Sequence, residues 1–262
     1  MKIKQEFEKY SGFIFDMDGT TYRGNHIIPN ADTTINFIKS TGRKVIFVTN
    51  KTTDSAKGYF NFLSANNLKI SEEEILSATG VIKKYLKVNH PDLPIFALGE
   101  EKFINELKES GLTFSEDPSK IKVVIVTLDR TLNYDKLEIA AKSLELGALF
   151  LAANIDDTCP VDEGEILDAG STISALEKRT HRKLELHFGK PSQFMFEEAM
   201  NLINTPADKV LLVGDRIETD IKMGNMFGVD TALVKTGVKS NPKDYNGTAP
   251  KYIIDSVFDL LC

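Results

Sequence analysis

The sequence of 262 residues has few cysteines and no long apolar run. Cys159 and Cys262 are too few for a disulfide framework or a thiolate zinc site, which favours a reducing compartment such as the cytoplasm. No run approaches the roughly 18 apolar residues that a membrane span requires, and the charged start of the chain lacks the apolar region of a signal peptide. We therefore predict a cytoplasmic protein without a membrane partner.

Positive charge is not in excess either, and this disfavours a nucleic-acid partner. The chain carries 32 Lys and Arg against 38 Asp and Glu, a formal charge of −6, and its lysines are scattered. Such a surface offers no basic stripe to a phosphate backbone, although it is compatible with a small anionic ligand. The sequence also lacks internal repeats, and its hydrophobic fraction of 42% is that of an ordinary globular chain.

Short apolar runs alternate with amphipathic stretches along the chain. This pattern predicts an α/β fold in which parallel sheets carry helices on both faces. One series of strands is predicted at residues 13–15, 45–48 and 210–213, and a second at 95–98, 123–126 and 149–151, with helices over 102–109 and 134–146. We assign residues 1–80 and 182–262 to a core domain and residues 81–181 to a smaller inserted α/β domain. One continuous α/β domain is the alternative.

Acidic residues follow two of the core strands. Asp16 and Asp18 lie two residues apart before a glycine, so they could bind a hard divalent cation and supply a nucleophile and a proton donor. Asp215 follows the strand at 210–213 and could complete a magnesium site with Asp16, while Asp220 could support that site by hydrogen bonding. The alternative is that these residues form turns and complement the dipole of a helix start.

Two further polar segments suit a phosphoryl group. Thr49 and Asn50 place a hydroxyl and an amide at the end of a strand, although this segment taken alone favours a simple turn with an Asn cap. Lys190 precedes a predicted helix, where the positive end of the dipole disfavours a lysine unless an anion or carboxylate lies nearby. Lys190 is therefore interpreted as half of an ion pair or anion site, with a solvated surface lysine as the alternative.

Taken in chain order, the four segments resemble the motifs of the haloacid dehalogenase superfamily of phosphohydrolases. These segments are Asp16–Thr20, Thr49–Asn50, Lys190 and Gly214–Asp220. The long insertion resembles the α/β cap of the NagD-like, class IIA branch of that superfamily. The cap resemblance is carried by residues 128–130, 133–137, 147–150 and 168–171. It implies a Rossmann-like core with helices on both faces of a parallel sheet, and an inserted α/β cap domain.

The resemblance also implies roles for the acidic residues. Asp16 would be the nucleophile and a ligand of Mg²⁺, and Asp18 the general acid and base, with its backbone carbonyl on the metal. Asp215 would be a further ligand, and Asp220 would support the site from outside the ligand shell. A halide leaves without being protonated, so the second acid, Asp18, favours a phosphatase over a dehalogenase.

By the same resemblance, Thr49, Asn50 and Lys190 would hold the transferring phosphoryl group. Two residues depart from the common pattern, since relatives often have asparagine in place of Lys51 and leucine in place of Thr21. Neither departure removes chemistry, but Lys51 would change the charge near the entrance.

An acidic loop of the insertion resembles the substrate loop of the family in position. It includes Asn154 and Asp156, which we predict to contact the substrate; the other residues are Ile155, Asp157 and Thr158, with Asp162, Glu163 and Glu165 beyond. If these acids face the site, they disfavour polyanionic substrates and favour sugar or polyol phosphates. A solvated charge run is the equally weighted alternative.

The sequence thus predicts a magnesium-dependent phosphatase that hydrolyses small sugar, nucleotide or polyol phosphates through an aspartyl phosphate. A phosphotransferase that uses the same intermediate and a non-catalytic phospho-ligand binding protein are the alternatives. The family resemblance further implies a homodimer that forms through the cap.

Overall fold

The computed structural model describes residues 1–161, 164–238 and 248–262, and these residues form two compact units. The core unit comprises Met1–Thr49, Ala56–Leu76 and Lys190–Cys262, while the insert unit comprises Asn50–Ser55 and Ser77–Gly189. In the described parts of the chain, no helix is both long and apolar enough to cross a membrane.

The strands and helices alternate along the chain. The strands are β1 (Gly12–Asp16), β2 (Tyr22–Arg23), β3 (His26–Ile27), β4 (Lys44–Thr49), β5 (Ile75–Ser77), β6 (Ile95–Leu98), β7 (Val123–Val126), β8 (Leu149–Ala152), β9 (Thr158–Val161), β10 (Gly164–Leu167), β11 (Leu186–His187), β12 (Val210–Gly214), β13 (Asp230–Val234) and β14 (Tyr252–Ile254). The helices are α1 (Ala31–Ser40), α2 (Ala56–Ala65), α3 (Ala78–Asn89), α4 (Glu101–Glu109), α5 (Tyr134–Glu145), α6 (Ala169–Thr180), α7 (Gln193–Ile203) and α8 (Lys222–Phe227). A π-helical turn, Ile217–Ile221, precedes α8.

The core unit is built on a six-stranded sheet with the order β14-β13-β12-β1-β4-β5. The pairs from β14 to β4 are parallel. All five residues of the central strand β1 are buried. Because successive side chains of a strand point to opposite faces, burial of every residue means that both faces of this sheet are covered. On one face Phe13, Phe15 and Phe47 pack with residues of α1 and α2 in the main apolar cluster.

The insert unit contains a second parallel sheet, with the order β11-β8-β7-β6. Val124, Val126 and Phe150 of this sheet pack against Leu144 of α5 and Leu176 of α6. An antiparallel hairpin of β9 and β10 adds a small separate sheet. Both units are therefore α/β, and the predicted fold class of parallel sheets with helices on both faces is confirmed.

The unit boundaries differ from residues 80 and 181, where the sequence analysis placed them. Ser77 caps α3 by accepting a hydrogen bond from Gly80 N. The second segment of the insert unit starts at this same residue, so it contains the whole helix. At the other end, β11 pairs with β8 and extends the insert unit to Gly189. Residues 50–55 also group with the insert unit, although they follow a core strand directly.

Candidate active site

Asp16 is the last residue of β1, and its side chain lies at the carboxyl edge of the core sheet. The chain then turns, with Thr21 N donating to the carbonyl oxygen of Met17 (2.8 Å) and the Thr21 hydroxyl donating to that of Asp16 (2.8 Å). Gly19 adopts a φ of 88° in this turn, and a Cβ there would collide with the carboxylate of Asp215. The glycine thus permits both the turn and the close approach of a second acid.

Asp215 and Asp220 follow β12, the strand beside β1. Val238 N donates to Asp215 Oδ2 at 2.7 Å, and this bond holds the first carboxylate. Asp220 lies in the π-helical turn, where Arg216 N donates to its Oδ2 at 3.2 Å. A Cβ on Gly214 would collide with the Asp220 carboxyl group, so this strand has to end in glycine for Asp220 to reach the site.

Lys190 joins the nucleophile candidate to Asp220. Its Nζ contacts Asp16 Oδ1 directly and donates to Asp220 Oδ1 at 2.6 Å, and the ammonium is almost fully buried. The structure therefore confirms that Lys190 forms an ion pair, and the surface-lysine alternative is wrong. Sequence analysis did not predict that one ammonium would serve two carboxylates.

The acidic residues form one compact buried group. Asp16, Asp215 and Asp220 each place a carboxylate oxygen within 4.8 Å of the others. Burial, followed by the charges of Asp16 and Asp220, raises the pKa of Asp215 well above its usual range. Burial also raises the pKa of Asp220, although Lys190 has the opposite effect on it. Burial lowers the pKa of Lys190, but the neighbouring carboxylates of Asp16 and Asp220 outweigh burial and hold this pKa above its usual value. Three carboxylates beside one ammonium thus form a site with excess negative charge.

Asp18, Thr49 and Asn50, the other residues predicted for this site, each follow or end a core strand in the chain. Asp18 is partly exposed in the turn after β1, and Thr49 is the buried last residue of β4. Asn50 follows Thr49 in the chain but groups with the insert unit. The structure thus brings together Asp16, Lys190, Asp215 and Asp220, and the roles of all these residues stay predictions.

Asn154 and Asp156 follow β8 in the insert unit and form part of a polar network. Asn154 is buried, and its Nδ2 donates to Asp156 Oδ2 and to Asp168 Oδ1, each at 3.1 Å. Its Oδ1 accepts from the Thr127 hydroxyl at 2.9 Å. Asp156 Oδ2 also accepts from Asn50 Nδ2 at 2.8 Å. The two predicted substrate residues are therefore engaged with each other and with Asn50.

The two remaining acids of the predicted substrate loop that lie within the described residues, Asp157 and Glu165, are not buried. Asp157 is exposed, and Glu165 is exposed in β10. Asp162 and Glu163 lie outside the described residues. For Asp157 and Glu165, exposure agrees with the alternative of a solvated charge run.

Sequence analysis missed several residues that support these groups. Thr236 donates its hydroxyl to the carbonyl oxygen of Gly19 at 2.6 Å, next to the bond from Val238 to Asp215. In the insert unit it missed Thr127 and Asp168 as members of the network. A signal was present, because Thr236 and Thr127 each follow a strand end and Asp168 precedes a helix as its N-cap.

Comparison with known proteins finds relatives along most of the chain. Residues 13–113 match the family described as haloacid dehalogenase-like hydrolase, and residues 187–260 match a second family of HAD-like hydrolases. The chain is 31% identical over 250 residues to sugar-phosphatase AraL of Bacillus subtilis (strain 168), covering 95% of this chain and 92% of the relative. It is 32% identical over 287 residues to phosphoglycolate phosphatase 2 of Arabidopsis thaliana, with coverages of 99% and 95%. A solved p-nitrophenyl phosphatase from Archaeoglobus fulgidus is similar with a TM-score of 0.89 and 30% identity, covering 96% of this chain and 98% of that one.

Proposed function

Because the chain belongs to the haloacid dehalogenase-like hydrolases and is a phosphatase of small phosphate monoesters, we propose that Asp16 is its nucleophile. The observation that carries this proposal is the buried group in which Lys190 contacts both Asp16 and Asp220, with Asp215 beside them. A carboxylate at the end of a parallel strand lies at the edge where such sheets bind ligands. Its contact with Lys190 fixes its orientation.

The reaction takes place in two displacements at phosphorus. An Asp16 carboxylate oxygen attacks the phosphorus, a new O–P bond forms, and the bond to the leaving alcohol breaks. Asp18 donates its proton to the departing alkoxide oxygen, which leaves as an alcohol. A water molecule then attacks the phosphorus of the aspartyl phosphate, Asp18 accepts the proton of that water, and Asp16 is released with inorganic phosphate.

Positive charge has to accompany the phosphoryl group, because a phosphate dianion repels an incoming carboxylate. Lys190 is held between Asp16 and Asp220 and supplies one such charge at the nucleophile. Thr49 and Asn50 supply neutral hydrogen-bond donors in this proposal. These residues act on the phosphoryl group, which every monoester substrate shares.

The acidic group also fits Mg²⁺, the metal that the family resemblance implies. Carboxylate oxygens are the donors that this hard cation prefers, and three buried carboxylates beside one ammonium leave negative charge to be balanced. Asp16 and Asp215 would hold the ion with the backbone carbonyl of Asp18, and Asp220 would orient the group by hydrogen bonds. When bound, the cation supplies positive charge that stabilises the phosphoryl oxygens.

The substrate class follows from the relatives and remains broad. The relatives include a sugar phosphatase and a phosphoglycolate phosphatase, which act on small phosphate monoesters. As predicted from the sequence, we propose a small sugar, nucleotide or polyol phosphate as the substrate. We also propose a cytoplasmic location and a homodimer formed through the inserted domain. Sedimentation analysis of the purified chain tests the dimer.

Release of inorganic phosphate from a panel of esters tests the function. The panel contains sugar, nucleotide, glycerol, glycolate and pyridoxal phosphates together with p-nitrophenyl phosphate, each assayed with Mg²⁺. We expect Asp16→Asn to reduce turnover to background, because no phosphoenzyme can form. Asp208→Asn, which neutralises an exposed carboxylate of the core unit, is the matched control and should retain activity. Absence of phosphate release from every ester, or near-normal turnover by Asp16→Asn, would contradict the proposal.

A further inference from the structure

We propose that Asp156 is a positioning residue that fixes the orientation of the Asn50 amide, and that Asn154 in turn holds Asp156. This inference rests on the proposed function, in which Asn50 binds the transferring phosphoryl group. It assigns Asn154 and Asp156 a role different from the direct substrate contact predicted from the sequence. The observation that carries it is the network of hydrogen bonds inside the insert unit.

The network starts at two buried threonines, and each of its hydrogen bonds has a defined donor and acceptor. The hydroxyls of Thr52 and Thr127 lie 2.6 Å apart, and Thr127 donates to Asn154 Oδ1 at 2.9 Å. Because a threonine hydroxyl has a single proton, Thr52 has to be the donor to Thr127. The Asn154 amide then donates to the carboxylates of Asp156 and Asp168. The hydrogen bonds thus run from Thr52 through Thr127 and Asn154 and end on two carboxylates.

This direction determines how the amide of Asn50 is turned. Asn50 Nδ2 donates to Asp156 Oδ2 at 2.8 Å, and a flipped amide would place Oδ1 against that carboxylate. The flipped state is electrostatically unfavourable, so the carboxylate selects one of the two amide orientations. On the other side, a Cβ on Gly189 would lie 2.6 Å from Asn50 Oδ1, so only glycine admits the amide in this position. The second amide hydrogen then has a defined direction.

Burial supports a positioning role for Asn154. Only 2% of Asn154 is exposed, and both of its amide hydrogens and its carbonyl oxygen have partners within the unit. Donation of a hydrogen bond from this amide to a substrate would require one of these buried bonds to break. Asp156 is half-buried, and its Oδ2 accepts from two amides. The network therefore links the predicted substrate loop to the residue that follows Thr49.

A double-mutant cycle between Asn50 and Asp156 tests the proposal. Asp156→Asn keeps the volume but removes the charge that selects the amide orientation, and Asn50→Ala removes the amide itself. We measure kcat/KM on p-nitrophenyl phosphate and on a sugar phosphate, and the inhibition constant of inorganic phosphate, for both single variants and the double variant. Asp92→Asn, an exposed carboxylate of the same unit, is the control. Circular dichroism checks that each variant is folded at the assay temperature.

If Asp156 acts through Asn50, Asp156→Asn lowers kcat/KM by about tenfold, and by the same factor on both esters, because the phosphoryl group is common to both. Asn50→Ala lowers it by about 100-fold, and the double variant is no worse than Asn50→Ala. The phosphate inhibition constant rises by about tenfold in Asp156→Asn and is unchanged in the control. A merely structural role would lower the folded fraction without changing that constant.

Two results would overturn the inference in an active enzyme. One is a change in the ratio of the two esters in Asp156→Asn, which would mean contact with the leaving group. The other is a double variant whose loss equals the product of the single losses, which would mean independent action. Wild-type protein that releases phosphate from none of the esters in the panel would instead refute the proposed function, and this inference with it.

Discussion

Lys190 is the position at which one substitution should disturb both the stability and the activity of the core unit. Lys190→Met keeps most of the volume of the side chain and removes the ammonium. In the structure, this ammonium is almost fully buried and contacts Asp16 and Asp220. Its loss removes the ammonium that contacts two of the three buried carboxylates of the group.

The expected loss of stability can be worked from the geometry. Removing one partner of a buried ion pair typically costs about 3–5 kcal/mol, because the remaining charge stays desolvated. One carboxylate oxygen of each acid lies within 4.8 Å of the others. Two unit charges 4.8 Å apart repel each other by about 3.5 kcal/mol at an effective dielectric constant of about 20. Since a carboxylate can relieve this repulsion by taking up a proton, we expect the free energy of unfolding to fall by about 3–5 kcal/mol at pH 8 in the absence of metal.

The sign of the pH dependence follows from the carboxyl groups. Burial and neighbouring carboxylates raise the pKa of Asp215 and of Asp220, and Lys190 opposes the increase at Asp220. Without Lys190 the pKa of Asp220 rises further. A carboxyl group whose pKa is higher in the folded state binds more protons when folded, so its contribution to stability falls as the pH rises. The deficit of Lys190→Met should therefore be smaller at pH 5.5 than at pH 8.

Urea unfolding followed by far-ultraviolet circular dichroism, in chelator at both pH values, measures this deficit. Lys209→Met, which removes an exposed lysine of the same unit, is the control and should change stability by less than about 0.5 kcal/mol. A deficit below about 1 kcal/mol at pH 8, or one that grows as the pH falls, would refute the reasoning.

Three further predictions concern the metal, the second aspartate and a distant ion cluster. Chelation should abolish phosphate release, and Mg²⁺ should restore it better than Ca²⁺, whose larger and looser ligand shell suits the site less; full activity after verified metal removal would contradict this. Asp18→Asn should lower kcat by about 10²- to 10⁴-fold, and less for p-nitrophenyl phosphate, whose leaving group needs no proton. Labelled phosphate should accumulate on Asp16 of that variant in acid quench, and label on another residue would contradict the assignment. Partial burial opposes ionisation of Asp230, but hydrogen bonds from Lys251, Tyr10 and Lys9 lower its pKa to about 2. Asp230→Asn should thus cost about 1–2 kcal/mol at pH 7 in urea unfolding, and the cost should disappear as the pH falls from about 4 to 2; a cost that persists at pH 2 would not be electrostatic.

Much of the core sheet could be predicted because its strands are continuous apolar runs. The predicted strands at 13–15, 45–48 and 210–213 lie within β1, β4 and β12, and the helix predicted at 134–146 matches α5 to within one residue. Polar residues directly after such runs have to lie at the carboxyl edge of the sheet. That local rule was sufficient to identify Asp16 and Asp215 as neighbours.

The supporting contacts could not be predicted because they join segments distant in sequence. Thr236 contacts Gly19 only because β13 pairs with β12, which pairs with β1. Likewise, Asn154 was identified by its position in a loop, but its partners Thr127 and Asp168 come from a different strand end and a helix start. Pattern and spacing indicate which edge a residue occupies, whereas the partner of each polar atom depends on the order of strands in the sheet.

The strand order of the core unit has a consequence for synthesis of the chain on the ribosome. β1 lies between β4 and β12, and β12 begins at Val210, about 200 residues after β1 ends. At about 5–20 residues per second, one edge of this strand, which is apolar up to its last residue Asp16, stays unpaired for some 10–40 s, while the insert unit can already form its own sheet. An unpaired apolar edge is a template for association with other chains. We therefore expect the nascent protein to be most prone to aggregation in the interval before β12 emerges.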